Sequence, residues 1–470
     1  MKRVCWLVVA LFMALGACSK DETKELNVPS GSILVLNWGD QGTTTFDSRN
    51  ITSIAATSIP SGWSVVNIDM YAGTITVQSP EEGTEGAVDS GTMSLKGYTP
   101  TGATATLDIF LAIVPQVDFR SNPANCYVAN KPLTRYVFDP MVGGSATPLE
   151  TAEVKLIWQT ASNLVKYVDM RDGVVSFYID EDEDNEGAVL PGNALIGAYN
   201  ADGEIIWSWH IWVTNTDIDA SAITLNGETV MGLNLGAELN SNGSDKAKDI
   251  YKSYGMYYQW GRKDPFVGPK DYDFPGNADD NLYDYQNDDI YLQYAESTAE
   301  QGAIAWATAN PMTIIKGAKE NAYDWLYEGH DDELWGSDSK SEYDPCPAGW
   351  RVADASIFEN LTISEEYDNM ALSELKLLYG LKLTDGTDDY FFTAQGRRNY
   401  LDCRLDIFNS NLTLPVPWSG YYWTTTANDA AAKALYFDLN TETRLRNGFD
   451  NGKDMQRANA LPVRCIRYFL

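Results

Sequence analysis

The most constraining feature of the sequence is the stretch Asp344-Pro345-Cys346-Pro347-Ala348-Gly349-Trp350. Two prolines fix the backbone on either side of Cys346, and Gly349 permits a tight turn before Trp350. The chain must therefore turn a rigid corner here and enter a new strand or helix. The run from Leu461 to Ile466 alternates apolar and polar residues, which predicts a strand.

The N-terminal residues have the pattern of an export signal. Lys2 and Arg3 are basic, and residues 6–15 form an apolar run that is too short to span a bilayer as a helix. Residues 15–18, Leu-Gly-Ala-Cys, match a lipobox, in which small residues precede a cysteine that receives lipid. We therefore expect a signal peptide over residues 1–17, lipid on Cys18 and a tether over residues 18–27.

Residues 19–22, Ser-Lys-Asp-Glu, resemble the acidic surface-export tag of Bacteroidetes-type lipoproteins. This resemblance implies a lipid-anchored protein exposed on the cell outer membrane. The formal net charge of −32 repels nucleic acid, so nucleic acid is not an expected partner. A chain of 470 residues is long enough for about two to four domains.

Residues 28–116 read as short strands separated by clusters of Gly, Pro, Ser and Asp. This pattern is typical of an immunoglobulin-like β-sandwich. The segments 60–65 and 73–77 resemble the BACON module of gut-bacterial surface proteins. Trp63 is predicted to pack in the core of this sandwich rather than to form a sugar platform.

Residues 122–218 are predicted to form a second β-sandwich. In the strand at 204–213, period two places Trp207, Trp209, Ile211 and Val213 on one face and Ser208, His210 and Trp212 on the other. The first face is predicted to be core and the second to be half-buried. The acidic run 180–186 is predicted to be a hairpin tip in water, because the glutamate that a calcium loop requires further on is missing.

Residues 225–470 carry three ordered motifs, at 344–352, 422–425 and 463–465. They resemble the FISUMP-type domain of bacterial surface lipoproteins, which is related to the C-type-lectin-like fold. Together with segments 124–127, 207–212, 234–237 and 257–266, they resemble fimbrial tip-like lipoproteins. The expected fold is therefore multidomain and mainly β: two immunoglobulin-like β-sandwich domains followed by an α+β C-type-lectin-like domain. A helix is predicted over residues 366–379.

Four cysteines remain once Cys5 leaves with the signal and Cys18 takes lipid. Cys126, Cys346, Cys403 and Cys465 allow three complete pairings, and their spacing does not choose among them. The family resemblance implies a disulfide between Cys346 and Cys465. No C-x-x-C occurs, so no zinc site is expected.

Residues 263–293 mix tyrosines with aspartates and show little periodicity, which is typical of a functional insertion. Tyrosine rings beside carboxylates suit sugar recognition. A solvated loop packed by its own tyrosines is the alternative interpretation. The ligand-binding candidates in this insertion and in the loop at 414–421 are Tyr272, Tyr283, Asp284, Tyr285, Trp418 and Tyr421.

No catalytic residues are predicted. The chain has two histidines, His210 and His330, and no G-x-S-x-G, P-loop, dinucleotide fingerprint or H-E-x-x-H motif. No metal or cofactor is expected. Residues 423–426 read Trp-Thr-Thr-Thr where calcium-dependent lectins of the related fold carry W-N-D, so the resemblance does not imply calcium-dependent sugar binding.

The sequence therefore predicts a non-catalytic adhesin or fimbrial tip-like lipoprotein that binds glycan or a surface protein through its C-terminal domain. Fimbrial subunits are further expected partners. The alternative is an accessory lipoprotein that captures glycans for a polysaccharide-uptake system. Neighbouring genes for fimbrillins and usher-like proteins would favour the first hypothesis, and neighbouring transporter and hydrolase genes would favour the second.

The lipid assignment is tested by Cys18→Ala. This change removes the thiol that accepts lipid, so the variant should stay uncleaved or become soluble. Cell fractionation with detection in the membrane and soluble fractions measures the outcome. A variant that is processed normally and still partitions wholly with the outer membrane would show that Cys18 is not the anchor.

Overall fold

The computed structural model describes residues 25–27, 33–145, 147–243, 249–269, 282–336, 339–375, 378–407, 419–439 and 448–469. The chain divides into two compact units, Met1–Val114 and Pro115–Leu470. Both are built mainly from β-strands in their described parts. Among the helices of those parts, none has the length and apolarity needed to cross a membrane. The finer boundaries at 122–218 and 225–470 stay predictions.

In its described residues the first unit contains two larger sheets, which share one apolar core, and one two-stranded sheet. Its strands, β1 to β9 in chain order, are Glu25–Asn27, Ile33–Leu36, Gln41–Thr45, Asp47–Arg49, Ser53–Ser58, Ser64–Asp69, Thr74–Gln78, Ser90–Tyr98 and Thr104–Ile113. The sheet orders are β2-β9-β8-β5 and β3-β7-β6, and β1 pairs with β4. Both sheets contribute to one buried cluster. Trp63 lies in that cluster and donates its Nε1–H to the Val88 carbonyl at 2.9 Å, so its prediction as a core residue is confirmed.

The second unit begins with another pair of sheets. The strands β10 to β17 are Gln116–Asp118, Cys126–Ala129, Thr134–Phe138, Glu153–Gln159, Lys166–Arg171, Val174–Ile179, Gly192–Tyr199 and Ile205–Val213. Trp207, Trp209, Ile211 and Val213 pack in the core between these sheets, as period two predicts. The opposite face of β17 is fully buried, not half-buried as expected. The reason is that residues 236–237 and 258–264 cover it, as shown by the Trp212 Nε1–H bond to the Ala237 carbonyl at 2.9 Å.

The rest of the second unit combines short strands into small sheets around a large core. The strands β18 to β35 are Ile223–Leu225, Glu228–Val230, Tyr258–Gln259, Leu282–Tyr283, Asp289–Ile290, Gln293–Glu296, Thr313–Lys316, Trp350–Val352, Thr362–Ile363, Gly380–Thr384, Asp389–Thr393, Arg397–Arg398, Leu405–Asp406, Ser419–Asn428, Ala431–Asp438, Phe449–Gln456, Ala460–Leu461 and Cys465–Arg467. The core that they surround also takes in Trp158, Leu195 and Trp212 from the sandwich. This shared core makes residues 115–470 one compact unit.

Helices are shorter than the sequence predicts. The described α-helices are Ile304–Ala309, Glu365–Asp368 and Leu372–Leu375, and 3-10 turns occur at Ile250–Ser253, Lys319–Asn321 and Ala355–Phe358. The single helix predicted over 366–379 is wrong: the first turn ends at Asp368, and Gly380 begins strand β27. Tyr379 has a φ of 59°, so a helix cannot run through it to Gly380.

The corner at residues 344–350 is fixed by a buried ion pair. Lys340 Nζ lies 2.6 Å from Asp344 Oδ1, and the two side chains are 6% and 0% exposed. Asp344 also accepts the backbone N–H groups of Cys346 and Val352, both at 2.8 Å. Burial lowers the pKa of Lys340, and the Asp344 carboxylate offsets part of that shift. Every polar group of the pair is thus satisfied within the corner.

The disulfide that the family resemblance implied is present in the structure. Cys346 and Cys465 are joined across a sequence separation of 119 residues. The bond links the corner to strand β35, which pairs with β25 through Val352 and Cys465. Cys126 and Cys403 are buried free thiols.

Removing the disulfide should destabilise the second unit. In the chain-entropy model, opening a loop of this length lowers the free energy of unfolding by about 4–5 kcal/mol. The variant with Cys346→Ala and Cys465→Ala should therefore unfold at a clearly lower urea midpoint, followed by tryptophan fluorescence. The matched control replaces the free thiols Cys126 and Cys403 by Ala and reports the cavity effect alone. Equal midpoints for the two double variants would contradict the expectation.

Candidate ligand-binding site

The stretch 282–291, called the tyrosine hairpin below, is an extension of the second sandwich. Strands β21 and β22 pair with each other, and Tyr283 pairs with Gln159 at the end of β13. The resulting sheet has the order β11-β17-β16-β13-β21-β22. The hairpin is therefore fixed by backbone pairing to a sheet whose other strands lie more than 65 residues earlier in the chain.

Asn287 locks the turn of this hairpin. Its Oδ1 accepts hydrogen bonds from Gln159 Nε2 at 3.1 Å and from the Asn163 backbone N–H at 2.9 Å. Its Nδ2 donates to Asn163 Oδ1 at 2.9 Å. Asn287 has a φ of 65°, a conformation that asparagine tolerates better than most residues. Sequence reasoning missed this residue, because nothing in a lone asparagine indicates a partner more than 120 positions away.

The predicted ligand residues in the hairpin have different environments. Tyr283 is half-buried, and Tyr285 is 67% exposed. Asp284 shapes the turn, since its Oδ1 accepts the backbone N–H groups of Gln286 and Asp288 at 2.8 and 2.9 Å. Tyr291, just after β22, is 50% exposed. Tyr285 and Tyr291 therefore present the accessible rings of this segment, and Asp284 has a structural role.

Two other candidates lie outside the described residues, namely Tyr272 and Trp418. Tyr421 lies among the described residues, and the prediction that its ring is accessible to a ligand is wrong. Its side chain is 8% exposed within β31. It packs against Tyr436 and beneath the Arg397 guanidinium. Both faces of this strand are covered over residues 419–425, so Tyr421 is buried together with its neighbours. Trp423, predicted to pack inside, is fully buried.

The start of the predicted insertion is also buried rather than exposed. Lys263 and Asp264 form an ion pair at 2.6 Å, with side chains 2% and 3% exposed. Asp264 accepts the hydroxyl hydrogen of Ser208, and Lys263 donates to the Ser208 carbonyl at 3.1 Å. Burial lowers the pKa of Lys263, an effect that Asp264 opposes. The sequence predicts that these charged residues lie in a solvated loop. In the structure they bind Ser208 on the covered face of β17.

A cavity of about 160 Å³ opens beside the hairpin, within the second unit. It is called the Glu238 cavity below. Its walls include Thr160, Pro191 and Asn193 from the sandwich and Glu238, Tyr251, Lys252 and Met256 from the following chain. Thr160 directly follows Gln159, the partner of Tyr283, so cavity and hairpin lie at the same end of β13. Sequence reasoning did not find this cavity, because its walls come from separate segments.

Gly236 allows the walls of the cavity to approach closely. Its φ is 83°, and a Cβ there would lie 2.4 Å from Met256 Cγ and 2.9 Å from Asn193 Oδ1. The Gly236 carbonyl accepts a hydrogen bond from Asn193 Nδ2 at 2.9 Å. A side chain at position 236 would push these residues apart and change the shape of the cavity.

His210 supports the cavity from beneath. Its Nε2 lies 2.9 Å from Asn193 Oδ1, and its Nδ1 lies 3.3 Å from the Tyr258 hydroxyl. Because Asn193 Nδ2 already donates to Gly236, Asn193 Oδ1 is the acceptor and His210 Nε2 carries the hydrogen. Burial lowers the pKa of His210 to about 3, so the ring is neutral at physiological pH.

The other histidine holds a loop. His330 Nδ1 lies 2.9 Å from the buried Asp324 Oδ2, and burial raises the pKa of Asp324. Arg457 is bound by Asp332 and by the backbone carbonyls of Asp331 and Asp429. These contacts tie the acidic segment after His330 to the strand region around Asp429.

The acidic run 180–186 forms a tight turn in which the Gly187 N–H donates to Glu181 Oε1 at 2.6 Å. Asp182 and Asn185 pair across it. Over the part of the chain that the structure describes, no group of three or more His, Cys, Asp or Glu side chains is placed to hold a metal ion.

No family model matches the chain, and no curated protein matches it. Among solved structures, similarity is found to the D00-D0 domain of Intimin, with 9% identity over 40% of this chain and 96% of that chain and a TM-score of 0.18. The Bacteroides ovatus mixed-linkage glucan utilization locus protein SGBP-B matches with 11% identity over 38% of this chain and 42% of its own, at a TM-score of 0.14. The titin I-band fragment I67-I69 matches with 14% identity over 41% and 64%, at 0.13. Similarities with TM-scores this low indicate neither a shared family nor a shared function.

Acidification should weaken the second unit through His210. The unfolded imidazole has an ordinary pKa near 6.5 and the folded one a pKa of about 3, so the unfolded state binds a proton first. The stability that the neutral ring contributes is complete above about pH 6.5 and is lost as the pH falls towards 3, by about 2 kcal/mol between pH 7 and pH 5. Urea midpoints of wild type and His210→Gln across this range measure the effect. The wild type should show the steeper decline, and parallel profiles would contradict the expectation.

Proposed function

We propose that this protein is a non-catalytic, lipid-anchored outer-membrane surface protein of the adhesin or fimbrial tip-like class, and that it binds glycan through its C-terminal part. In this proposal residues 28–116 form a BACON-like spacer and residues 225–470 a FISUMP-type domain related to the C-type-lectin-like fold. Lipid on Cys18 lies at the opposite end of the chain from this binding part. The ordered motifs at 344–352, 422–425 and 463–465 support the family assignment.

The observation that carries the binding proposal is the pair of exposed rings on the tyrosine hairpin. Tyr285 and Tyr291 are 67% and 50% exposed, while the backbone beneath them is fixed by sheet pairing and by Asn287. Aromatic rings offer a flat apolar face to a sugar ring. Because the hairpin is already ordered by the sheet, binding does not require ordering of the segment, which favours affinity.

The buried environment of His210 supports a non-catalytic role for that residue. His210 is buried and has both ring nitrogens engaged, by Asn193 and Tyr258. His330 is bound to Asp324, whose carboxylate also accepts the Leu326 N–H at 3.1 Å. A general base must reach the proton that it removes from a substrate. The His210 ring is enclosed in the core and cannot do so, whereas the exposed His330 is held by Asp324.

Replacing Tyr285 and Tyr291 by Ala should weaken glycan binding. If the rings act as other aromatic platforms do, each stacked ring contributes about 1–3 kcal/mol. A glycan array on the mature full-length protein identifies ligands, and titration of the best glycan compares wild type with the double variant. The melting temperature should stay nearly unchanged, since both rings are exposed.

The matched control replaces Tyr71 and Tyr98, two exposed tyrosines of the first unit, by Ala. This control should bind as wild type does. Equal glycan binding by the Tyr285/Tyr291 variant and the wild type would remove these rings from the site. A wild type that binds no arrayed glycan would overturn the proposed glycan-binding function.

A further inference from the structure

The Glu238 cavity contains a carboxyl group for which the described part of the chain offers no hydrogen-bond donor. Glu238 uses its backbone N–H, which donates to the Lys252 carbonyl at 2.8 Å. Among the described residues, none donates a hydrogen bond to its side-chain oxygens, although other half-buried acids such as Asp284 and Asp354 accept backbone N–H groups. Burial raises the pKa of the Glu238 carboxyl, and the charge of Lys252 offsets part of this effect. A desolvated acceptor that faces a cavity is left to a ligand or to water.

The size of the cavity limits its occupant. A volume of about 160 Å³ is well above what one water molecule fills, which is about 30 Å³ in the liquid. It is also below the range of about 300–1,000 Å³ that is usual for drug-sized ligands. The cavity therefore suits one small ring or the end residue of a longer chain.

The chemistry of the walls limits the occupant further. Glu238 supplies a hydrogen-bond acceptor, and Lys252 supplies a cation. The Thr160 hydroxyl already accepts the Asn193 N–H at 2.9 Å and keeps its own hydrogen to donate. A cationic ligand would meet Lys252 and an anionic one would meet Glu238, so a neutral ligand with both donors and acceptors fits best.

Apolar surface completes the cavity. Tyr251, Met256, Val267 and Pro191 line it beside the polar groups. A sugar ring has apolar faces of C–H groups and hydroxyls around its rim, and each hydroxyl both donates and accepts. This combination matches the walls better than a peptide side chain, which usually presents one polar group at its tip.

We propose that the Glu238 cavity binds one neutral monosaccharide residue at the end of a glycan, with the Glu238 carboxylate accepting hydrogen bonds from its hydroxyls. This inference rests on the proposed glycan-binding function and assigns the specificity for the terminal sugar to the cavity. The tyrosine hairpin, at the same end of β13, then contacts the sugars that follow.

The test uses the mature full-length protein and the methyl glycosides of glucose, galactose, mannose, fucose and N-acetylglucosamine. Saturation-transfer NMR and titration calorimetry detect binding of each glycoside. At least one should bind the wild type, and Glu238→Gln should weaken it at least tenfold, because the amide replaces one acceptor oxygen by a donor. Glu238→Leu should abolish the binding.

Two controls separate loss of the site from loss of the fold. Glu228→Gln changes an exposed glutamate on strand β19 and should bind as wild type does. Glu238→Gln removes a desolvated charge while keeping the shape of the side chain, so its melting temperature should be equal to or above that of the wild type. Lost binding with a retained melting temperature therefore supports the proposal.

The outcomes distinguish this inference from the proposed function. If arrayed glycans bind the wild type and Glu238→Gln equally, the cavity inference is overturned and the glycan-binding function stands. If none of the five glycosides binds the wild type, the cavity inference is likewise overturned. If, in addition, no arrayed glycan binds the wild type, the proposed glycan-binding function is overturned as well.

Discussion

The buried pair of Lys340 and Asp344 is the interaction on which the second unit depends. A buried ion pair stabilises a protein only when its remaining hydrogen-bonding groups are also satisfied. Here Asp344 accepts two backbone N–H groups, and Lys340 donates to the carbonyls of Cys346 and Trp350 at 2.8 and 2.9 Å. The pair thereby sets the path of the corner that positions Cys346 for its disulfide. The sandwich contacts the same corner, because Asn125 Nδ2 donates to the Glu342 and Asp344 carbonyls.

This corner explains why the sandwich and the following chain share one core. Asn125 also accepts the Trp207 Nε1–H at 3.1 Å, so a single amide links the corner to strand β17. On the other face of β17, Ser208, His210 and Trp212 bind Asp264, Tyr258 and Ala237 in turn. The candidate site lies along the same junction, where sandwich residues such as Thr160 and Asn193 meet Glu238. The shape of the site is therefore determined by how the two parts of the unit pack.

The sequence predicted local structure better than long-range contacts. Period two was sufficient to assign the core face of β17, since strand geometry alone determines which side chains point together. The threonine-rich strand Gln41–Thr45 has little apolar alternation, so its sequence alone does not predict it. The burial of Lys263 and the pairing of Tyr283 with Gln159 were beyond such reasoning, because they depend on partners far away in the chain. The Glu238 cavity could not be predicted for the same reason, because its walls come from segments that are far apart in the sequence.

The extension of the second sandwich by the tyrosine hairpin has a consequence for folding during synthesis. Strand β13 ends at Gln159, yet its pairing partner Tyr283 is synthesised 124 residues later. The corner that binds Asn125 is synthesised more than 200 residues after Asn125 itself. Contacts between residues so distant in sequence slow folding and leave apolar surface open meanwhile. The first unit can fold as soon as its own chain emerges. The nascent sandwich, in contrast, keeps its β17 face uncovered until the later residues that cover it have been synthesised. We therefore expect chaperones to act on this segment.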